Sequence, residues 1–232
     1  MLEMSNTILL KSADKYLSET PWVIDLLKSA IIIKKLDEFN LLTEKQLKEA
    51  TATISNPFIV EKITETNTGL RKKIAANKEK STGRAFVTPK VQPEMLLETI
   101  MQKYRGRVVY VDFWATWCGP CLRNIAAMKS LKDELKADHV AFVYITNQTS
   151  PQALWENVIP DITGDHYRLT QHEWEVLSKR YNVTSIPHGI ILNQDGLVVS
   201  PKIQGLTNDE VKTLIYSTLG KKMPDTNATS MK

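Results

Sequence analysis

Reactive sulfur is scarce here: the 232 residues hold only two cysteines, Cys118 and Cys121, alongside four histidines. A single Cys-X-X-Cys pair cannot form the framework of structural disulfides that small loop-rich domains use in place of a large core. His139, His166, His172 and His188 have no ligand-like spacing against the cysteine pair, so a four-ligand zinc site is not indicated either. No apolar run approaches the roughly 18 residues a membrane span requires. The Met1-Leu2-Glu3 start lacks the basic stretch and apolar segment of a secretory signal. Such a start suits a cytosolic chain, or one from which a signal peptide or membrane anchor has been removed. The net charge of +4 is mild, and no aromatic residues are interleaved with the basic ones as a nucleic-acid platform needs. What remains is the composition of an ordinary soluble protein of one or two domains.

Residues 1–80 read as an α-helical region. Thr20-Pro21 has the form of a cap followed by a first-turn proline, and Trp22, Ile24, Leu26, Leu27, Ile31 and Leu36 form a broad apolar stripe that ends near Asn40. Thr43-Glu44-Lys45-Gln46 is a capping box, and Ser55-Asn56-Pro57 starts another helix carrying Phe58, Ile59, Ile63, Leu70 and Ile74. Its basic far end, with Arg71, Lys72, Lys73, Lys78 and Lys80, reads as a solvated helix end. Residues 81–90 break the periodicity and read as a linker or an edge segment.

From residue 91 the pattern changes to α/β. A helix over about 93–105 precedes the strand-like run Val108 to Trp114, and a helix then opens at Cys118 with Cys121, Ile125, Met128, Leu131 and Leu135 on one face. A buried strand at 139–146, a helix near 151–159, a short strand near 166–169 and a helix at about 171–181 follow. Gln194-Asp195-Gly196 then turns a hairpin between 190–193 and 197–203, and a helix at 207–219 closes the unit, leaving a loose tail over 221–232. Such strand-helix-strand units predict a mixed sheet with helices on both faces.

A Cys-X-X-Cys pair that opens a helix after a buried strand has a physical reason to be reactive. Free backbone amides and the helix dipole at the start favour a thiolate on Cys118, the expected nucleophile, while Cys121 lies one turn deeper and suits the resolving role. Gly119 and Pro120 constrain the loop between them, and Trp117 offers an apolar surface to a partner or simply packs. Asp112 is a carboxylate inside the apolar run Val-Val-Tyr-Val-Asp-Phe-Trp, where burial raises its pKa and makes it a candidate proton acceptor for Cys121. His188 is a possible modulator of the thiols.

Residues 111–121, Val-Asp-Phe-Trp-Ala-Thr-Trp-Cys-Gly-Pro-Cys, resemble the active-site segment of the thioredoxin family almost residue for residue. Ile186-Pro187 resembles that family's cis-proline loop and Gly205 its substrate-groove glycine, and the resemblance spans about residues 91–220. It implies a thioredoxin fold whose CXXC pair cycles between dithiol and disulfide, with Trp117, Ile186, Pro187 and Gly205 binding an extended substrate strand. The helix and strand between Thr146 and Thr170 resemble the insertion of TlpA/ResA-type proteins, which are typically periplasmic and often membrane-tethered. Asn124, Ile125 and Ala126 stand where that subfamily usually carries a Glu and a Met-Pro pair, a departure that argues against a dedicated role in cytochrome c maturation.

The reading is thus a thiol-disulfide oxidoreductase, a reductase of protein disulfides with an upstream thiol donor. It calls for no metal, no organic cofactor and no nucleic acid, and for a membrane only through an anchor outside this chain. Two alternatives come from other classes. One is a non-catalytic binding or scaffold protein that works through its helical region. The other is a thiol peroxidase, whose usual Pro-X-X-X-Thr-X-X-Cys setting is missing before Cys118.

Overall fold

The computed structural model describes residues 21–80 and 82–222. Thr20, the expected cap, and residues 223–232 of the tail lie outside them. The chain divides into two compact units, Met1–Glu79 and Lys80–Lys232.

The first unit contains helices α1 (Pro21–Asp37), α2 (Glu44–Thr51) and α3 (Pro57–Lys78). The Thr43 capping box forms as its spacing predicts, with the hydroxyl taking the Gln46 amide and the Gln46 side chain taking the Thr43 amide. Asn56 caps α3 through Phe58 N–H at 3.0 Å. Buried Asp25 adds a second anionic cap there, accepting from the amides of Ser55 at 3.0 Å and Asn56 at 2.8 Å. Ile32, Leu36, Ile54 and Ile63 form the small core. The broad stripe expected on α1 is only partly used, since Trp22 and Leu26 are exposed. A helix apolar over so much of its circumference presents more surface than α2 and α3, its described neighbours, cover.

The second unit is a six-stranded sheet of order β1-β4-β3-β2-β5-β6, with β1 Gly83–Phe86, β2 Val108–Phe113, β3 Val140–Asn147, β4 Gly164–Leu169, β5 His188–Leu192 and β6 Val198–Ser200. Strands β1, β4, β3 and β2 run parallel, and β5 and β6 complete the sheet antiparallel. Residues 83–86 are therefore not linker: they form the edge strand, in register with Gly164 to Tyr167. The helices are α4 (Leu96–Met101), α5 (Gly119–Ala127), α6 (Lys129–Glu134), α7 (Gln152–Val158), α8 (Gln171–Arg180) and α9 (Asn208–Thr218). The unit expected between Thr146 and Thr170 is α7 followed by β4, and β4 lies between β1 and β3.

Alternation along β2 sorts its side chains onto two cores. Val109, Val111 and Phe113 pack with Leu96, Leu97 and Ile100 of α4 and Leu177 of α8. Val108 and Tyr110 face the opposite way, toward Met128 and Leu131 and toward Val211 and Ile215 of α9. Asp112 shares this second parity, so it faces the layer that holds the cysteine helix.

Candidate active site

Backbone geometry at the end of β2 delivers the cysteines. Trp114 N–H still bonds to Ile145 O at 3.0 Å, and Cys118 N–H to Ala115 O at 3.0 Å, before α5 begins at Gly119. Cys118 is the N-cap of that helix, and its Sγ accepts from Cys121 N–H at 3.2 Å. Pro120 falls in the first turn, where its missing amide costs nothing. The pair is a disulfide with Sγ atoms 2.04 Å apart. Cys121 is fully buried and Cys118 is only 4% exposed. In the oxidised state the two therefore differ little in exposure. The helix-start amides around Cys118 are the larger asymmetry between them.

Beneath the pair lies a buried polar group of residues. Asp112 pairs in register with Tyr144 on β3 and Gly189 on β5. Tyr144 belongs to the same buried cluster as both cysteines. A side chain at Gly189 would meet Ile203 at 2.6 Å and Tyr110 Oη at 3.3 Å, so a larger residue beside the carboxyl would force the Ile203 side chain to shift. Burial pushes the Asp112 pKa up to about 7, against a smaller opposing pull from Lys132. Lys132 on α6 is buried, its Nζ donating to Thr163 O at 3.0 Å and lying 4.6 Å from the Tyr144 ring centre. Burial lowers its pKa to about 8, offset in part by Asp112. His166 stacks on Tyr144 at 4.8 Å, and desolvation lowers it to about 4, so it is neutral at ordinary pH.

A second network holds the loop before Cys118. Thr116 N–H donates to Ser150 Oγ at 3.0 Å, and Ser150 Oγ lies 2.7 Å from Thr146 Oγ1, with Ser150 and Thr146 fully buried. Trp117 is 62% exposed, yet its Nε1 donates to Thr149 Oγ1 at 3.0 Å, which donates on to Asn147 Oδ1 at 2.6 Å. The ring is thus pinned as an exposed apolar plate beside Cys118.

Ile186–Pro187 is a cis peptide. Ile186 packs against the cysteine cluster, and Gln204 Nε2 donates to Pro187 O. Among the described residues the main-chain N–H and C=O of Ile186 make no hydrogen bond. A groove of about 500 Å³ runs between Trp117, Trp174 and Ile186, and no charged side chain lines it. Gly205 has φ +82° in the turn before α9, and open space surrounds the position a side chain would take.

Most of the expected site residues therefore meet at one end of the sheet. His188 is different: its ring sits edge-on to Phe113 with Nε2 3.1 Å from Pro201 O, within the sheet and not in the groove. Sequence reasoning missed Lys132, Ser150, Thr149 and His166. Lys132 carried a faint signal, as a lysine next to Leu131 on the helix face that also holds Leu135. Among the described residues no group of three or more His, Cys, Asp or Glu side chains is placed to hold a metal.

Comparison with known proteins agrees with this geometry. The thioredoxin-like family model matches residues 106–198. The thioredoxin-like protein YneN of Bacillus subtilis is 31% identical over 129 residues, 52% of this chain and 74% of that one. The thiol-disulfide oxidoreductase ResA of Halalkalibacterium halodurans is 24% identical over 112 residues, 48% of this chain and 62% of that one. Among solved structures, a thiol:disulfide interchange protein from Chlorobium tepidum is 20% identical with a TM-score of 0.45, covering 52% of this chain and 85% of that one. With its CXXC pair at disulfide distance, on a mixed sheet extended by one helix-strand unit, the chain belongs to the thioredoxin-like family and is a thiol-disulfide oxidoreductase.

Proposed function

We propose that the chain reduces disulfides in partner proteins. The observation that carries this is the placement of Cys118 Sγ on the Cys121 amide at the start of α5, which in the reduced protein stabilises a thiolate. The Cys118 thiolate attacks one sulfur of the substrate disulfide, forming a mixed disulfide and releasing the other substrate sulfur as thiolate. Asp112 accepts the Cys121 proton. The Cys121 sulfur attacks Cys118, expels the second substrate thiolate and leaves the 118–121 disulfide. The proton held by Asp112 returns to the departing thiolate, and an upstream dithiol donor restores the reduced pair.

Trp117, the cis-Pro187 loop and Gly205 receive the substrate strand, with the free N–H and C=O of Ile186 as its main-chain partners. The uncharged groove favours neutral or apolar residues beside the substrate cysteine. The relatives named ResA support an extracytoplasmic, periplasm-like setting. Among the described residues no helix is long and apolar enough to cross a membrane. The helices between Pro21 and Lys78 serve placement rather than chemistry.

A Cys121→Ser variant tests the cycle: Cys118 attacks but is not released, so partner proteins accumulate as mixed disulfides that mass spectrometry identifies. Absence of any Cys118-linked adduct would end the proposal. A redox titration tests direction, since a potential above about −180 mV, the value typical of an isomerase, would refute the reductase assignment.

A further inference from the structure

At the end of the sheet where β3 and β4 begin, away from the cysteine groove, a cavity of about 270 Å³ opens between α6 and the strand starts. Its size is near the lower end of small-ligand pockets. Four cations line it, Arg84, Arg107, Lys132 and Lys136, against the single carboxylate of Asp165. That carboxylate is already saturated: Arg84 Nη2 lies 2.7 Å away, Lys103 Nζ 2.9 Å and Tyr104 Oη 2.6 Å. The nearby acids on and after α6 are committed as well, Glu134 to Lys212 and Asp138 to Lys221 and Tyr216. Asp133 is exposed, and Lys132 feels it along with Asp112.

Arg107, Lys132 and Lys136 thus face the cavity, and among the described residues none of the three has a carboxylate ion pair within 4.0 Å. Arg107 is the sharpest case. Its Nη2 is spent on Val140 O, while its Nε–H is buried without a hydrogen-bond partner. A buried guanidinium N–H left open is costly and uncommon in folded proteins. The rest of that guanidinium lines the cavity, and with the two lysines beside it this is the donor set of an oxyanion site. We propose that this cavity binds a small multivalent oxyanion, of the phosphate or dicarboxylate class, held by Arg107, Lys132 and Lys136.

The site stands independently of the redox proposal, because none of its reasoning uses the cysteines. It still has a consequence for them. Lys132 is shared between the cavity and Asp112, so an occupied site holds the lysine charged and reaches the carboxyl behind the disulfide.

The test is titration of the full oxidised chain with inorganic phosphate, and separately with succinate, at constant ionic strength with sodium chloride as the control. Calorimetry reads the stoichiometry, and NMR follows the Arg107 Nε–H resonance. We expect one anion per chain and a saturable shift of that resonance with phosphate, succinate or both; the two arms distinguish the phosphate class from the dicarboxylate class. Lys136→Gln, an exposed replacement with no contact to lose, should weaken binding about tenfold, and Arg107→Gln should abolish it. A resonance unmoved by both anions, or binding of equal strength in Lys136→Gln, overturns the proposal.

Discussion

Asp112 should make the oxidised protein less stable as pH rises, and replacing it with Asn should remove that loss. The carboxyl is buried on β2, and burial carries its pKa from 3.8 to about 7. The native state therefore keeps a proton that the unfolded chain gives up between about pH 4 and pH 7. The unfolded state binds fewer protons in this window, so unfolding free energy falls as pH increases through it. At about 1.4 kcal/mol per pKa unit, the full loss is about 4 kcal/mol by pH 8, a large part of the stability of an ordinary domain. Below pH 4 the protonated acid and the amide are nearly isosteric and the two proteins should match.

His166 complicates either curve taken singly. Its pKa is lowered to about 4, so stability should rise with pH between about 4 and 6.5, opposite in sign to the Asp112 effect. Subtracting the Asp112→Asn curve removes the histidine contribution, which both proteins share. The assay is urea unfolding of the oxidised proteins from pH 4 to 8.5, read by hydrogen exchange at β2 and β3 amides to restrict it to the sheet unit. The difference should open from near zero to a few kcal/mol in favour of Asn. Parallel curves would refute the claim that the carboxyl is neutral and buried in the native fold.

Alkylation of the reduced protein near pH 7 should modify Cys118 well before Cys121, as mass spectrometry after a short pulse would show; equal rates would remove the helix-start argument. Ser150→Ala takes away the acceptor of Thr116 N–H at a fully buried position and should cost about 1–3 kcal/mol. Urea midpoints check this, and a neutral result would mean that the loop before Cys118 finds another acceptor. Deleting residues 1–79 should leave reduction of a small generic disulfide unchanged while weakening reaction with the trapped protein partner. Loss of the small-substrate activity in a truncated protein that still melts cooperatively would show that the helices complete the active site.

The parts of the fold legible in the sequence are those whose cause is local. The Thr43 and Asn56 caps need only three or four neighbouring residues, and the cysteine helix needs only a strand, a turn and its own apolar stripe. Strand β1 escaped clear assignment because its four residues are half exposed at an edge and acquire strand identity only from β4, about eighty positions away. Lys132 was only faintly legible for the same kind of reason. A lysine in Lys129-Ser130-Leu131-Lys132 reads as surface, and only the approach of Thr163, Phe142 and Tyr144 buries it. Exposure of Trp22 and Leu26 shows the converse, an apolar stripe on α1 wider than the described residues cover.

The alternation of β2 explains why the buried acid sits where it does. All six of its residues are buried, so the strand has no solvent side on which a carboxylate could be placed cheaply. Moving the acid by one position would transfer it to the Val111 and Phe113 face, against α4 and α8 and away from the cysteine helix. Moving it by two, to Tyr110, would take it toward the Met128 and Leu131 layer and away from Tyr144, which joins Asp112 to the cysteine cluster. Position 112 is thus where the parity of β2 and the reach of its register partner both favour α5. Valine there would satisfy the core better and remove a penalty of about 4 kcal/mol at alkaline pH. A residue that lowers stability at this strand position is what the proposed proton transfer to and from the redox pair requires, and packing supplies no reason for it.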